Sequence, residues 1–284
     1  MCMENQTQIT KNSNIISRVL SAVVLIPPVV FVLWIGGVWF QGLLMVGGAL
    51  MMLEWLALTK TTDKTMKPIG VILVVGTLWA IADRDSWDFT IVYAQLLIGC
   101  LVMAWVLMKA NMRDMAWMVL GLLYTLSAIL SLFWLRSVFE IEASAAFYLV
   151  LWVFLVVWGT DIGGYFFGKA IGGPKLAPSI SPKKTWSGLA GGMILAASLG
   201  CVLFYFVPDT MFSTDSYFIL AMLGALMAVI AQVGDLLESG IKRHFDVKDS
   251  GGLIPGHGGL LDRVDGLVTV SLAMAILISL GMVQ

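Results

Sequence analysis

The stretch AAFYLVLWVFLVVWGTDIGGYFF, residues 145–167, carries one charged side chain, Asp161, in 23 residues. At about 1.5 Å per residue it makes a helix of roughly 34 Å, enough to cross a hydrocarbon core of about 30 Å. Eight further apolar stretches share the chain with it, at 19–35, 38–58, 68–82, 89–108, 115–135, 188–207, 217–238 and 264–283. Composition agrees. Of the 284 residues 59% are hydrophobic and 12% charged, and the mean hydropathy is +0.92. A soluble domain carries roughly 45–50% apolar and about 25% charged residues. So little charge cannot cover a water-facing surface. The expected fold is all-α, a polytopic transmembrane helical protein of about nine spans.

The weakest of these spans is 68–82, whose 15 residues reach only about 22 Å. The distribution of cations supports keeping it. With nine spans, 15 of the 17 basic residues fall on the side of the N-terminus, and only Arg84 and Arg136 on the other. By the positive-inside rule the N-terminus is cytoplasmic and the C-terminus outside. The polar start MCMENQTQITKNSN precedes an apolar run without a small-residue cleavage site, so that run is expected to be retained as the first span. Cys2, Cys100 and Cys201 show no paired spacing, which argues against a disulfide framework or a zinc site. A net charge of −1 gives no reason to expect nucleic acid as a partner. No long extramembrane stretch points to a separate soluble domain. The expected organisation is an N-terminal set of helices, 1–140, holding spans one to five. A C-terminal catalytic region, 141–284, holds spans six to nine with cytoplasmic loops 168–187 and 239–263.

Two segments on the N-terminal side are richer than a connection requires: WGTDIGGYFFGKAIGGPKLAPSISPKKTWSG, residues 158–188, and GDLLESGIKRHFDVKDSGGLIPGHGGLLDRVDG, residues 234–266. Both are rich in glycine, which lets backbone approach a ligand closely. Asp235 lies inside a span, where a carboxylate costs about 2.5–3.5 kcal/mol on insertion scales. On a helix Asp235, Ser239 and Lys242 share a face, and so do Asp262 and Asp265. With Asp161 they form a set of carboxylates just under one interface. Hard oxygen ligands of this kind suit Mg²⁺. For any one acid, simple charge pairing at a helix end is an equal alternative.

The cations ask for an anion. Ser181 and Pro182 read as N-cap and first residue of a helix, which would place Lys183 and Lys184 on a helical first turn suited to phosphate. Lys242, Arg243, Lys248 and Arg263 add charge from the second segment. His257, in PGHGG, is a candidate to hydrogen-bond a phosphate or sugar or to brace the loop. His244 is expected at the interface. Glu54, the other costly acid, is expected either to pair with a lysine or to brace the site. Intramembrane acids and broken helices would also suit an ion-coupled transporter, but here the charges crowd one face.

The run from Ser239 to Asp265, SGIKRHFDVKDSGGLIPGHGGLLDRVD, resembles the signature of the phosphatidate cytidylyltransferases, as does the segment from Gly159-Thr160-Asp161 to Ser181-Pro182-Lys183-Lys184-Thr185. Ser187 departs from the pattern, standing where relatives more often carry Glu or Gln. The resemblance implies that CTP and phosphatidic acid are the substrates and CDP-diacylglycerol and pyrophosphate the products. It implies one or two Mg²⁺ ions at Asp235 and Asp262, with Asp265 and Asp161 as weaker ligands. For that reaction the residues themselves suggest catalytic roles for Lys242 and Ser239, and phosphate contacts from Lys183, Lys184, Arg243, Lys248, His257 and Arg263. Membrane lipids as surroundings, a homodimer, and an inner-membrane location with the site facing the cytoplasm complete the expectation. A CTP-dependent lipid-alcohol kinase is the nearest rival chemistry.

Overall fold

The computed structural model describes residues 23–24, 26–81, 111–137, 143–206, 216–253 and 258–282. The expected span 89–108 and the whole polar start, residues 1–14, lie outside them. Among the described residues the helices are α1 (Ile26–Ile35), α2 (Gly37–Leu58), α3 (Met66–Ile81), α4 (Met112–Ser137), α5 (Ala143–Ala170), α6 (Trp186–Phe206), α7 (Tyr217–His244) and α8 (Leu261–Ser279). Five of them, α2, α4, α5, α6 and α7, are long and apolar enough to cross a membrane, and α1 and α3 are shorter apolar helices. In α8 the charges Asp262, Arg263 and Asp265 crowd the first turn and a half, and the rest is uncharged. The chain is an all-α polytopic membrane protein.

Contacts between helix ends show how the helices alternate. At one end, the last turn of α2 meets the start of α8 through Glu54 and Leu261. The last turn of α7 meets the same place through Lys242 and Asp262. Thr62, just after α2, donates to Asp114 in the first turn of α4. At the opposite end, Arg136 in the last turn of α4 donates to Leu33 O of α1 at 3.1 Å. There too Phe204 of α6 stacks edge-on against Tyr217 of α7, 5.5 Å between centroids.

The second half of the bundle is held by small residues. A Cβ on Gly163 of α5 would lie 2.5 Å from Gly191 O of α6, and one on Gly192 would lie 2.9 Å from Thr160 O. The two backbones therefore touch, the arrangement small residues permit where lipid supplies no hydrophobic drive. Gly234 of α7 packs in the same way on Asp265 O and Thr269 of α8. Around these seams Trp152, Val153, Val156, Ala196, Met227, Val270 and Met274 are buried. In the first half Met52, Leu56, Val74 and Ile129 fill the space between α2, α3 and α4.

One expectation is overturned. Ser181 and Pro182 do not start a helix. Ser181–Thr185 is a strand, β2, antiparallel to β1, Lys175–Ala177, with Lys175 opposite Thr185. The cap comes four residues later: Thr185 Oγ1 accepts the N–H of Gly188 at 3.1 Å, and α6 begins at Trp186. Proline needs no donor partner on the edge of a two-stranded ribbon, which is why Ser-Pro serves there as well as at a helix start. Gly172 and Gly173, at φ +68° and +100°, turn the chain out of α5 into the hairpin, as a left-handed helix terminus requires. Ser187, the departure from the signature, closes the hairpin base by donating to Gly172 O.

Candidate active site

At the end of the bundle where α5 and α7 finish and α6 and α8 begin, Asp161, Asp235, Lys242, Asp249, Asp262, Arg263 and Asp265 line one cavity of about 310 Å³. Five carboxylates and two cations thus face a common space. The sequence pattern anticipated six of these seven side chains, from three separate helices.

The helix α7 supplies the central face. Ser239 donates to Asp235 Oδ1 at 3.2 Å, one turn on, as its spacing required. Lys184 reaches in from β2, its Nζ 2.5 Å from Asp235 Oδ2. Strand alternation decides which lysine does this: Lys183 is exposed and Lys184, its neighbour, half-buried. Next along α7, Lys242 Nζ lies 2.5 Å from Asp262 Oδ1 and 3.4 Å from Glu238 Oε1.

The opposite wall is the loop into α8. Asp262 Oδ2 accepts from Ser250 N at 2.9 Å, Ser250 Oγ at 3.0 Å and Gly259 N at 3.0 Å. That oxygen is fully used, and Oδ1 is the one that meets Lys242. Glu54 braces the same loop from α2: Oε1 accepts from Leu260 N at 3.0 Å and Oε2 from Leu261 N at 2.9 Å. Of the two roles open to Glu54 in the sequence, bracing is the one realised.

The other cations stand apart from the cavity lining. Arg243 is exposed and ties α7 to the hairpin turn, donating from Nε to Ile180 O at 3.3 Å and from Nη1 to Val247 O at 3.2 Å. Lys183 and Lys248 are exposed. His257 lies outside the described residues. His244 sits in an aromatic cluster, 5.5 Å from the Trp117 ring and 5.0 Å from Phe245.

The match to known proteins runs over almost the whole chain. The model of the cytidylyltransferase family matches residues 16–280. A protein of Brucella suis named phosphatidate cytidylyltransferase is 36% identical over 261 residues, 91% of each chain. One of Staphylococcus saprophyticus with the same name is 32% identical over 81% of this chain and 90% of its own. This chain belongs to the cytidylyltransferase family. It is an enzyme, a nucleotidyltransferase of the membrane. One of Staphylococcus aureus is 45% identical over 127 residues, 45% of this chain.

Three members of this cytidylyltransferase's site were not singled out in the sequence. Glu238 is 1% exposed, with Lys242 Nζ 3.4 Å from its Oε1. Its signal was available, since it is three residues from Asp235 and four from Lys242. Asp249 and Ser250 lie on irregular backbone, where no periodicity points inward. Among the described residues no three His, Cys, Asp or Glu side chains form a ready metal cage. Mg²⁺ does not need one. It takes one or two carboxylates together with waters and substrate phosphates, and the donor set facing this cavity is of hard oxygens.

Proposed function

We propose that the chain joins CTP to phosphatidic acid, giving CDP-diacylglycerol and pyrophosphate, in phospholipid synthesis. The observation that carries this is the cavity at the bundle end, where carboxylates from α5, α7 and α8 face Lys242 and Arg263, with Lys184 beside them. The relatives' names supply the substrates. In the nine-span reading, with the N-terminus cytoplasmic and the C-terminus outside, this end faces the cytoplasm of the inner membrane. CTP then arrives from water and phosphatidate presents its headgroup at the same level. The machinery falls in 141–284, with Glu54 as the contribution from 1–140. A homodimer rests on the family resemblance alone; cross-linking in detergent tests it.

Phosphatidate carries its own nucleophile. A phosphate monoester bears about −1.5 to −2 charge near neutral pH, so no strong general base is required. One of its oxygens attacks the α-phosphorus of CTP. A new P–O–P bond forms, the α–β bridging P–O bond breaks, and pyrophosphate leaves with the electron pair. The barrier is repulsion between polyanions, and positioned positive charge lowers it. Lys184 and Lys242 supply that charge from α6's hairpin and from α7. Arg263 adds a third cation, and Ser239 fixes the Asp235 rotamer.

An excess of carboxylates would repel a triphosphate unless a cation comes with it. Asp161, Asp235 and Asp265 are the residues that would hold Mg²⁺; Asp262 could add only Oδ1, its Oδ2 being saturated. When bound, the ion neutralises and orients polyphosphate oxygens. The test is product release from purified protein in phosphatidate micelles. Pyrophosphate that appears only when CTP and phosphatidate are both present supports the reading. Release of CDP in its place would assign phosphate transfer, the kinase chemistry.

A further inference from the structure

We propose that Glu54, from the N-terminal half, is a positioning residue of this active site, an inference that rests on the cytidylyltransferase reading of the cavity. The start of α8 has no side-chain cap of its own: Leu260 occupies the cap position. A helix start leaves unpaired N–H groups and a positive dipole end, which a carboxylate satisfies. Glu54 supplies it from a residue more than 200 positions earlier, one oxygen to Leu260 N and one to Leu261 N.

The brace extends into the site. Ser250 Oγ stands between two carboxylates, 3.0 Å from Asp262 Oδ2 and 3.5 Å from Glu54 Oε2. The loop lies directly on Glu54, since a Cβ on Gly251 or Gly259 would come within 2.8 Å of its oxygens. Between them Glu54 and Asp262 take the N–H groups of Ser250, Gly259, Leu260 and Leu261. Glu54 does not line the cavity, yet it sets where Asp262, Arg263 and Asp265 stand relative to α7. Its role is geometric, carried through Ser250 and Asp262 to Lys242.

The experiment uses full-length protein in detergent micelles. Glu54→Gln keeps the shape and turns one acceptor into a donor facing an N–H group. The expected result is a kcat lower by about 10- to 100-fold, with KM for CTP changed by less than about threefold. Hydrogen exchange should quicken in peptides covering 248–262 and stay unchanged in Trp186–Phe206. A kcat within about twofold of wild type overturns the proposal. So does a loss matched by the unfolded fraction, with normal turnover in the remainder. Ser250→Ala is the second variant should Glu54→Gln not fold. It should lower kcat and quicken exchange over 248–262, and a kcat within about twofold of wild type overturns the proposal; where Glu54→Gln folds, Ser250→Ala should add nothing to it in the double variant, and full multiplicative effects overturn the coupling. Exchange is read without substrate, so it separates failure of this inference from failure of the cytidylyltransferase reading.

Discussion

Lys184 Nζ lies 2.5 Å from Asp235 Oδ2, joining strand β2 to helix α7 beside the cavity. The pair brings a cation from one glycine-rich segment onto a carboxylate of the other, although 51 residues separate them in the chain. It explains why a hairpin is built at the start of α6: a strand presents alternate side chains to opposite sides. Lys184→Ala should therefore lower kcat/KM for CTP by about 100- to 1000-fold, the loss expected for one preorganised charge at a phosphoryl centre. Lys183→Ala should lose at least tenfold less, because Lys183 faces away. Steady-state kinetics on the two variants decides it, and equal losses would contradict the strand.

Asp262 and Asp265 should part company in stability. Asp262 is wrapped by Lys242, Ser250 and Gly259, so Asp262→Asn leaves the Lys242 ammonium with only Glu238. A loss of about 3 kcal/mol follows from breaking such a buried pair, together with loss of activity. Asp265 faces the cavity together with Asp161 and Asp235 and accepts from Gly266 N at 2.8 Å through Oδ1. Asp265→Asn keeps that shape and acceptor and breaks no ion pair, so it should hold the melting temperature while activity falls. Thermal unfolding of both variants in the same detergent is the measurement.

Removal of divalent cations should stop turnover. EDTA is expected to abolish product formation, and added Mg²⁺ to restore it. Asp161→Asn should raise the Mg²⁺ concentration for half-maximal activity by about tenfold or more, in line with the loss of a ligand or its support. A Mg²⁺ titration of wild type and variant reads this directly. Activity that persists in EDTA would remove the metal from the mechanism.

The α5–α6 seam should tolerate no side chain at Gly163. At Gly163 even a methyl group would strike Gly191 O, so Gly163→Val should cost several kcal/mol, about the range of severe overpacking. Misplacing Asp161, two residues earlier, would take activity with it. Gly42→Ala in α2 meets nothing within 4 Å and should leave stability unchanged or raise it by up to about 1 kcal/mol. Fluorescence-detected size exclusion after heating compares the two.

Five of the described helices were legible because their apolar runs are long enough to cross a membrane, and α1 and α3 as shorter apolar runs. The face shared by Asp235, Ser239 and Lys242 was legible for the same reason, since helical period places them together. The hairpin was not. Ser-Pro begins helices and also sits on edge strands, and only the competing cap at Thr185 decides between them. Glu238 was readable from its spacing to Asp235 and Lys242; its burial was not, since that depends on how closely Gly234 lets α8 approach. The partner of Glu54 was hidden by distance along the chain: nothing near residue 54 points to Leu260 and Leu261.

The reaction itself is tested most directly by the fate of each phosphorus of CTP. Purified protein in phosphatidate micelles is given CTP labelled at the α-phosphorus in one sample and at the γ-phosphorus in another, and the lipid is extracted and chromatographed. Nucleotidyl transfer requires the α-label in the lipid as CDP-diacylglycerol and the γ-label in water as pyrophosphate. The γ-label in the lipid, or neither label there, would contradict it.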